Sequence, residues 1–157
     1  MSSNTLRNRP LLALVAFLAL VLGVGFLIGT ATAPDAWYAA LNKPSFNPPN
    51  YVFGPVWSIL YVAIAVAGWR TWARRTPGPA LRIWIAALVL NWLWSPAFFT
   101  LHAPWVAAVI IALLLGAIVA FIRTTWKPDR VSAILFLPYL AWVSFAAILN
   151  VSVAILN

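Results

Sequence analysis

The chain contains no cysteine and only two acidic residues, Asp35 and Asp129, among its 157 positions. Without cysteine there is no disulfide, no thiolate metal site and no cysteine nucleophile. Both carboxylates fall at the ends of apolar runs, so no run offers the buried acid that proton or sodium coupling commonly uses, and ion-driven transport is disfavoured. Histidine is as scarce. His102 is the sole one; it lies in a tight turn with no second histidine or neighbouring carboxylate to complete a metal site or an oriented base, and reads as a turn residue. No metal and no cofactor are expected.

Charge of either sign is thin, at 8% of residues against 64% hydrophobic, which leaves too little polar surface for a soluble domain and points to an integral membrane protein. A helix needs about 20 apolar residues to cross about 30 Å of hydrocarbon, so this length holds only a handful of spans. Uncharged runs place five, at about 10–33, 53–72, 82–101, 104–123 and 131–155. The long uncharged stretch Ile83 to Ile122 divides at His102-Ala103-Pro104, because proline disfavours helix at the residue before it. Turns fall at Thr76-Pro77-Gly78-Pro79 and Lys127-Pro128-Asp129-Arg130. The first run is longer than the roughly 7–15 apolar residues of a signal peptide, and no cleaved leader is expected. The expected fold is all-α, an integral membrane bundle of five transmembrane helices forming one domain over 1–157.

The ten basic residues sit at run ends rather than on one face interleaved with stacking aromatics, so nucleic acid is not an expected partner. With five spans, Arg7, Arg9, Arg70, Arg74, Arg75, Arg82, Arg123, Lys127 and Arg130 fall on one side and Lys43 alone on the other. This is a positive-inside pattern, which makes the N-terminus cytoplasmic if the host is an inner membrane. Trp69, Trp72, Trp84 and Trp126, near the basic ends, read as interfacial belt residues.

The connector 34–52 and the start of the second span carry the densest chemistry, WYAALNKPSFNPPNYVFGPVW from Trp37 to Trp57. Pro44, Pro48, Pro49 and Pro55 restrict φ and oppose regular helix, giving a rigid aromatic cap at a membrane surface. Inside the spans, Tyr139, Trp142, Ala146 and Asn150 share one helix face; Asn91, Trp94 and Phe98 share another, and Trp57 with Tyr61 a third. Such faces suit a flat aromatic ligand held by a few polar anchors. They equally suit helix packing through amide hydrogen bonds, and spacing alone leaves both readings open. Gly25 and Gly29 form a GxxxG that fits close packing within the protein, while Pro96 and Pro138 should kink the third and fifth spans.

The string W-Y-x-x-L-x-K-P-x-x-x-P-P at Trp37 to Pro49, then V-F-x-P-V-W at Val52 to Trp57 with Leu60-Tyr61, resembles the TspO/translocator protein family of tryptophan-rich sensory proteins. Leu90-Asn91-Trp92 with Trp94, Pro96, Phe98 and Phe99, and Pro138-Tyr139-Leu140-Ala141-Trp142 with Leu149-Asn150, continue the match in order over roughly the whole chain. The resemblance implies a membrane receptor, sensor or carrier, often a homodimer among lipid, whose first loop closes over a pocket for porphyrins and other flat aromatics. It implies ligand contacts at Trp37, Tyr38, Trp57, Tyr61, Asn91, Trp94, Trp105, Tyr139, Trp142 and Ala146, under a lid that includes Lys43, Pro44, Phe46, Pro48 and Pro49. Porphyrin would then be ligand or substrate, not cofactor. Some bacterial relatives are linked to light-dependent breakdown of protoporphyrin IX by two tryptophans that match Trp57 and Trp142, so an enzymatic alternative stands beside the binding one. A structural protein without a ligand is a third. Two departures matter. Phe46 stands where relatives often carry Trp, and the end of the fifth span, AILNVSVAILN, lacks the Tyr and Lys/Arg pattern proposed for cholesterol, so cholesterol binding through it is not expected. By topology Lys43 is placed to meet porphyrin propionates.

Overall fold

The computed structural model describes residues 10–76 and 78–157; Arg7, Arg9 and Pro77 lie outside them. Five helices among the described residues are long and apolar enough to cross a membrane. In chain order the elements are α1 (Pro10–Ala31), a short α2 (Ala36–Ala40), α3 (Phe53–Ala73) entered through a 3₁₀ turn at Asn50–Val52, α4 (Ala80–Ser95), α5 (Pro104–Thr125), α6 (Arg130–Leu135) and α7 (Leu137–Leu156). α1 packs on α3, α4 on α5, and α5 on α7, whereas α3 meets α4 and α7 only sparsely. That loose seam is where the interior opens.

Proline shapes two of the helices. Pro96 has no N–H to give its own helix, and α4 continues as a π-type turn over Pro96–Thr100, closed by Leu101 N–H donating to the Pro96 carbonyl at 2.9 Å. In the fifth span Pro138 is the second residue of α7, where its missing N–H costs nothing. The break falls just before it at Phe136, whose N–H turns back to Ala133 O at 3.1 Å and separates α6 from α7.

The core is built from side chains of the long helices: Ile64, Leu114, Ile118, Phe121, Phe136, Tyr139 and Val143 are all essentially inaccessible. Phe121 lies against Phe136 with ring centroids 4.1 Å apart. Trp84 corrects its expected place in the interfacial belt. It is buried, its indole N–H donates to Ile64 O at 2.9 Å, and it lies flat over Gly68, where a β-carbon would overlap the ring. A glycine on α3 thus makes the slot that draws a tryptophan of α4 inward, a relation between residues that no local pattern carries. Trp126 does stay half exposed, with the Arg130 guanidinium 5.1 Å over its ring.

The connector between α1 and α3 is more ordered than its prolines suggest. Between Pro34 and Pro44, Asp35 accepts from Tyr38 N–H at 3.0 Å and nucleates α2 as its N-cap. Just past α2, Asn42 N–H donates to Asn157 Oδ1 at 2.9 Å while Asn157 Nδ2 donates back to Asn42 O at 3.0 Å, so the end of α7 holds the connector down.

Candidate ligand-binding site

Beneath α2 lies a cavity of about 320 Å³. Trp57 and Phe53 come from α3, Trp94 from α4, Phe98 and Phe99 from the π-type turn, and Ala146 and Asn150 from α7. Tyr38 closes it from the lid side, its ring 5.2 Å from Phe99 and 6.3 Å from Phe98. The π-type turn matters here, because one extra residue per turn re-aims Phe98 and Phe99 so that both face the cavity beside Trp94, with Trp94 and Phe98 stacked at 5.6 Å.

A second cavity of about 260 Å³ shares Gly29, Phe53, Trp57, Trp94 and Ser95 with the first and reaches Tyr61, Asn91 and Trp92. The two glycines of the GxxxG differ in what faces them. A β-carbon on Gly25 would run into the Tyr61 ring at the edge of the second cavity; a β-carbon on Gly29 would meet nothing within 4 Å, and Gly29 lines both cavities.

The polar groups of the walls are few and mostly paired. Asn150 accepts from the Trp94 indole at 2.9 Å and donates to Pro104 O at 2.8 Å, fixing α7 to α4 and α5. Thr32 and Ser95 hydroxyls pair at 2.6 Å, and Tyr61 Oη donates to Asn91 Oδ1 at 3.4 Å. The amides therefore both pack the helices and face the cavity. One donor is idle: the buried Trp92 indole N–H has no partner in the structure.

The structure thus brings together Tyr38, Trp57, Trp94 and Ala146 around the first cavity and Tyr61 and Asn91 around the second. It places the other resemblance-derived residues elsewhere. Tyr139 is fully buried behind Trp57, their rings 6.4 Å apart. Trp142 meets the Phe53 ring edge-on at 5.8 Å and lines a shallow cleft with Pro138 between α3 and α7. Trp105 is 58% exposed on the outside of α5. Trp37 stacks on the His102 ring at 4.2 Å, outside the cavity. In the lid, Phe46 reaches the Phe145 ring at 6.3 Å. Phe53, Thr32, Ser95 and Gly29 are wall residues that the sequence reading missed. Phe53 alone carried a signal, one helical turn before Trp57.

Lys43 in the lid and His102 beneath it depart from expectation. Lys43 Nζ donates to Ala39 O at 3.3 Å and Leu41 O at 3.2 Å and sits 4.6 Å over the Tyr38 ring. It neutralises the C-terminal end of α2 and lines a shallow lid groove beside Pro34, Tyr38 and Asn50, not the cavity itself. His102 is not alone: its Nε2 lies 3.2 Å from Asp35 Oδ2, a carboxylate 67 positions away. The His102 backbone is left-handed, φ 51°, which aims the ring back at the lid.

The Tyr38 N–H, opposed by partial burial and aided by His102, holds the Asp35 carboxyl below the usual carboxylate range. A depressed folded value means the contribution is present above the ordinary carboxylate pKa and fades as pH falls through the lowered one. Asp35→Ala removes both the N-cap and the His102 contact. Amide hydrogen exchange over Ala36–Ala40 is expected to accelerate several-fold near neutral pH, with the α3 amides unchanged; equal exchange in both proteins would refute the latch.

Comparison with known proteins agrees with this architecture. The model of the TspO/MBR family matches residues 16–156. The chain is 36% identical over 151 residues to the tryptophan-rich protein TspO of Archaeoglobus fulgidus, covering 94% of this chain and 98% of that one. It is 36% identical over 138 residues to protein CrtK of Rhodobacter capsulatus, covering 82% and 83% of the two chains. With the human translocator protein it shares 37% identity over 120 residues, 73% of this chain and 70% of that one.

Proposed function

The chain belongs to the TspO/MBR family and is an integral, multi-pass membrane protein, and from that premise we propose that it binds a porphyrin or a similar flat aromatic molecule between its helices, as a receptor or carrier. The observation that carries this reading is the pair of contiguous cavities sharing the Phe53, Trp57 and Trp94 wall. A planar ring lying against that wall occupies both cavities at once, stacks on indole and phenyl faces, and has Asn150 and Ser95 within the lining for orientation. The lid held by Asp35, Asn42 and Lys43 covers the mouth.

A photo-oxidative enzyme drawing on Trp57 and Trp142 together is supported less well, since only Trp57 lines the main cavity and Trp142 lines the cleft with Pro138. The test is a dark titration of the purified protein with protoporphyrin IX, read by quenching of tryptophan fluorescence and repeated under light. The binding reading expects saturation near one equivalent and no bleaching that depends on the protein. Trp57→Ala should weaken affinity about tenfold through lost stacking and area, and Trp57→Phe much less. Absence of saturation in the dark would sink the proposal, and bleaching lost in Trp142→Phe would favour the enzyme.

A further inference from the structure

At the end of the bundle opposite the lid, a cleft of about 520 Å³ opens between the end of α3 and the start of α4, lined by Thr71, Trp72, Arg75, Thr76, Leu81 and Arg82 among others. The chain closes α3 there with a Schellman turn: Thr76 N–H donates to Thr71 O at 3.1 Å and Arg75 N–H to Trp72 O at 3.2 Å. The residue at the left-handed position of such a turn is usually glycine. Here it is Arg75, at φ 51°, a conformation that an L side chain adopts at a cost. Arg82 is placed as awkwardly. It stands in the first turn of α4, where the helix dipole disfavours a cation, and Pro79 before that helix supplies no side-chain cap.

Among the described residues no carboxylate offsets these charges. Of the two acidic residues in the chain, Asp129 is taken by Arg70 at 2.7 Å and by Ser132 at 2.6 Å, and Asp35 lies at the lid. Among the described residues neither Arg75 nor Arg82 pairs with a carboxylate. A general preference for basic residues on one side of a membrane explains a charge at this end of the bundle. It does not explain an arginine at the position of the turn that glycine fits best, in the lining of a cleft that a second arginine also lines.

We propose that this cleft binds a phosphate oxyanion, supplied by the headgroup of an anionic phospholipid or by a soluble phosphate. Arg75 and Arg82 provide charge-assisted hydrogen bonds, and the Thr76 hydroxyl lies in the same lining. Trp72, packed on Phe17 at 6.1 Å, and Leu81 form an apolar lip that suits the glycerol and upper acyl carbons of a lipid. The site is separate from the aromatic cavities and stands without the porphyrin reading.

The experiment is native mass spectrometry of the full chain with phosphatidylglycerol or phosphatidylcholine of identical acyl chains, alongside thermal unfolding with inorganic phosphate. The variants are Arg75→Gly, Arg82→Gln and the pair. Arg75→Gly removes the guanidinium while suiting the backbone, so a folded protein is secured. Phosphatidylglycerol should be retained in preference to phosphatidylcholine, and the double variant should lose affinity for it about thirtyfold, with an unfolding temperature no lower than that of Arg82→Gln alone. Stabilisation by inorganic phosphate that vanishes in the double variant supports the site and assigns it to a soluble anion; stabilisation by phosphatidylglycerol alone assigns it to lipid. Equal retention of the two lipids without any phosphate effect, or a double variant in which neither phosphatidylglycerol binding nor the phosphate effect is diminished, would overturn the proposal.

Discussion

Asp129→Ala is expected to destabilise the bundle by about 3–5 kcal/mol, read as a marked fall in unfolding temperature in detergent. The side chain of Asp129 is almost wholly enclosed, and that of its partner Arg70 mostly so. Its two oxygens are fully used, one accepting from Arg70 Nη2 at 2.7 Å and the other from Ser132 Oγ at 2.6 Å. Its backbone N–H donates to Thr125 O at 2.9 Å, so the same residue ends α5 and begins α6. Truncation leaves a guanidinium half sunk among apolar helices with no counter-charge, and that uncompensated charge, more than the lost attraction, sets the size of the effect. It follows that Arg70→Met combined with Asp129→Leu should recover much of the loss. A double variant as unstable as Asp129→Ala would show that packing around the turn, not charge, is what matters.

The acid dependence has a definite sign. Burial pushes the Asp129 carboxyl upward, but hydrogen bonds from Arg70 and Ser132 and the charges of Arg70 and Arg74 outweigh it, and the net direction is down. A carboxyl lowered in the folded state stabilises the fold above the ordinary carboxylate pKa of about 3.9 and ceases to as pH falls through the lowered value. Wild-type protein should therefore hold its stability through mild acid and lose it steeply below, whereas the apolar double variant should show a shallower acid limb.

Much of this architecture can be read from the chain because a bilayer permits so few solutions. Uncharged runs of spanning length must become helices, and the ends of those runs are marked by arginines and prolines. Relations between distant residues are not legible in that way. The GxxxG of α1 pairs two identical residues in one motif, yet Gly25 receives the Tyr61 ring and Gly29 leaves open space, a difference set wholly by what α3 brings opposite each. Trp84 carries the sequence marks of an interfacial anchor and becomes core because Gly68 makes a slot for it. Asp35 and His102, 67 positions apart, meet only because α2 folds back over the π-type turn. Helical spacing put Tyr139, Trp142, Ala146 and Asn150 on one face, but a face some 100° wide spans more than one environment. Ala146 and Asn150 meet the cavity, Tyr139 the core and Trp142 the shallow cleft.

That division makes Ala146 the most sensitive position for ligand binding. It is the small residue of the α7 wall, buried, with cavity in front of it where its neighbours one turn along carry bulk. Ala146→Phe projects a ring into the space that a planar ligand would occupy against Trp57 and Trp94. Because the ring enters a void and does not wedge into close-packed helices, the variant should unfold within a few degrees of wild type. Affinity for protoporphyrin IX should fall at least about a hundredfold, corresponding to about 2.7 kcal/mol. Ile148→Phe, on the outward face of the same helix at 60% exposure, is the matched control and should bind as wild type does. Gly25→Ala provides the opposite contrast: its β-carbon meets the Tyr61 ring, so stability should drop by about 1–3 kcal/mol with affinity changed mainly through displacement of Tyr61. If Ala146→Phe binds porphyrin as tightly as wild type while Ile148→Phe does not, the ligand lies on the lipid-facing side of α7, and the cavity between the helices is not its site.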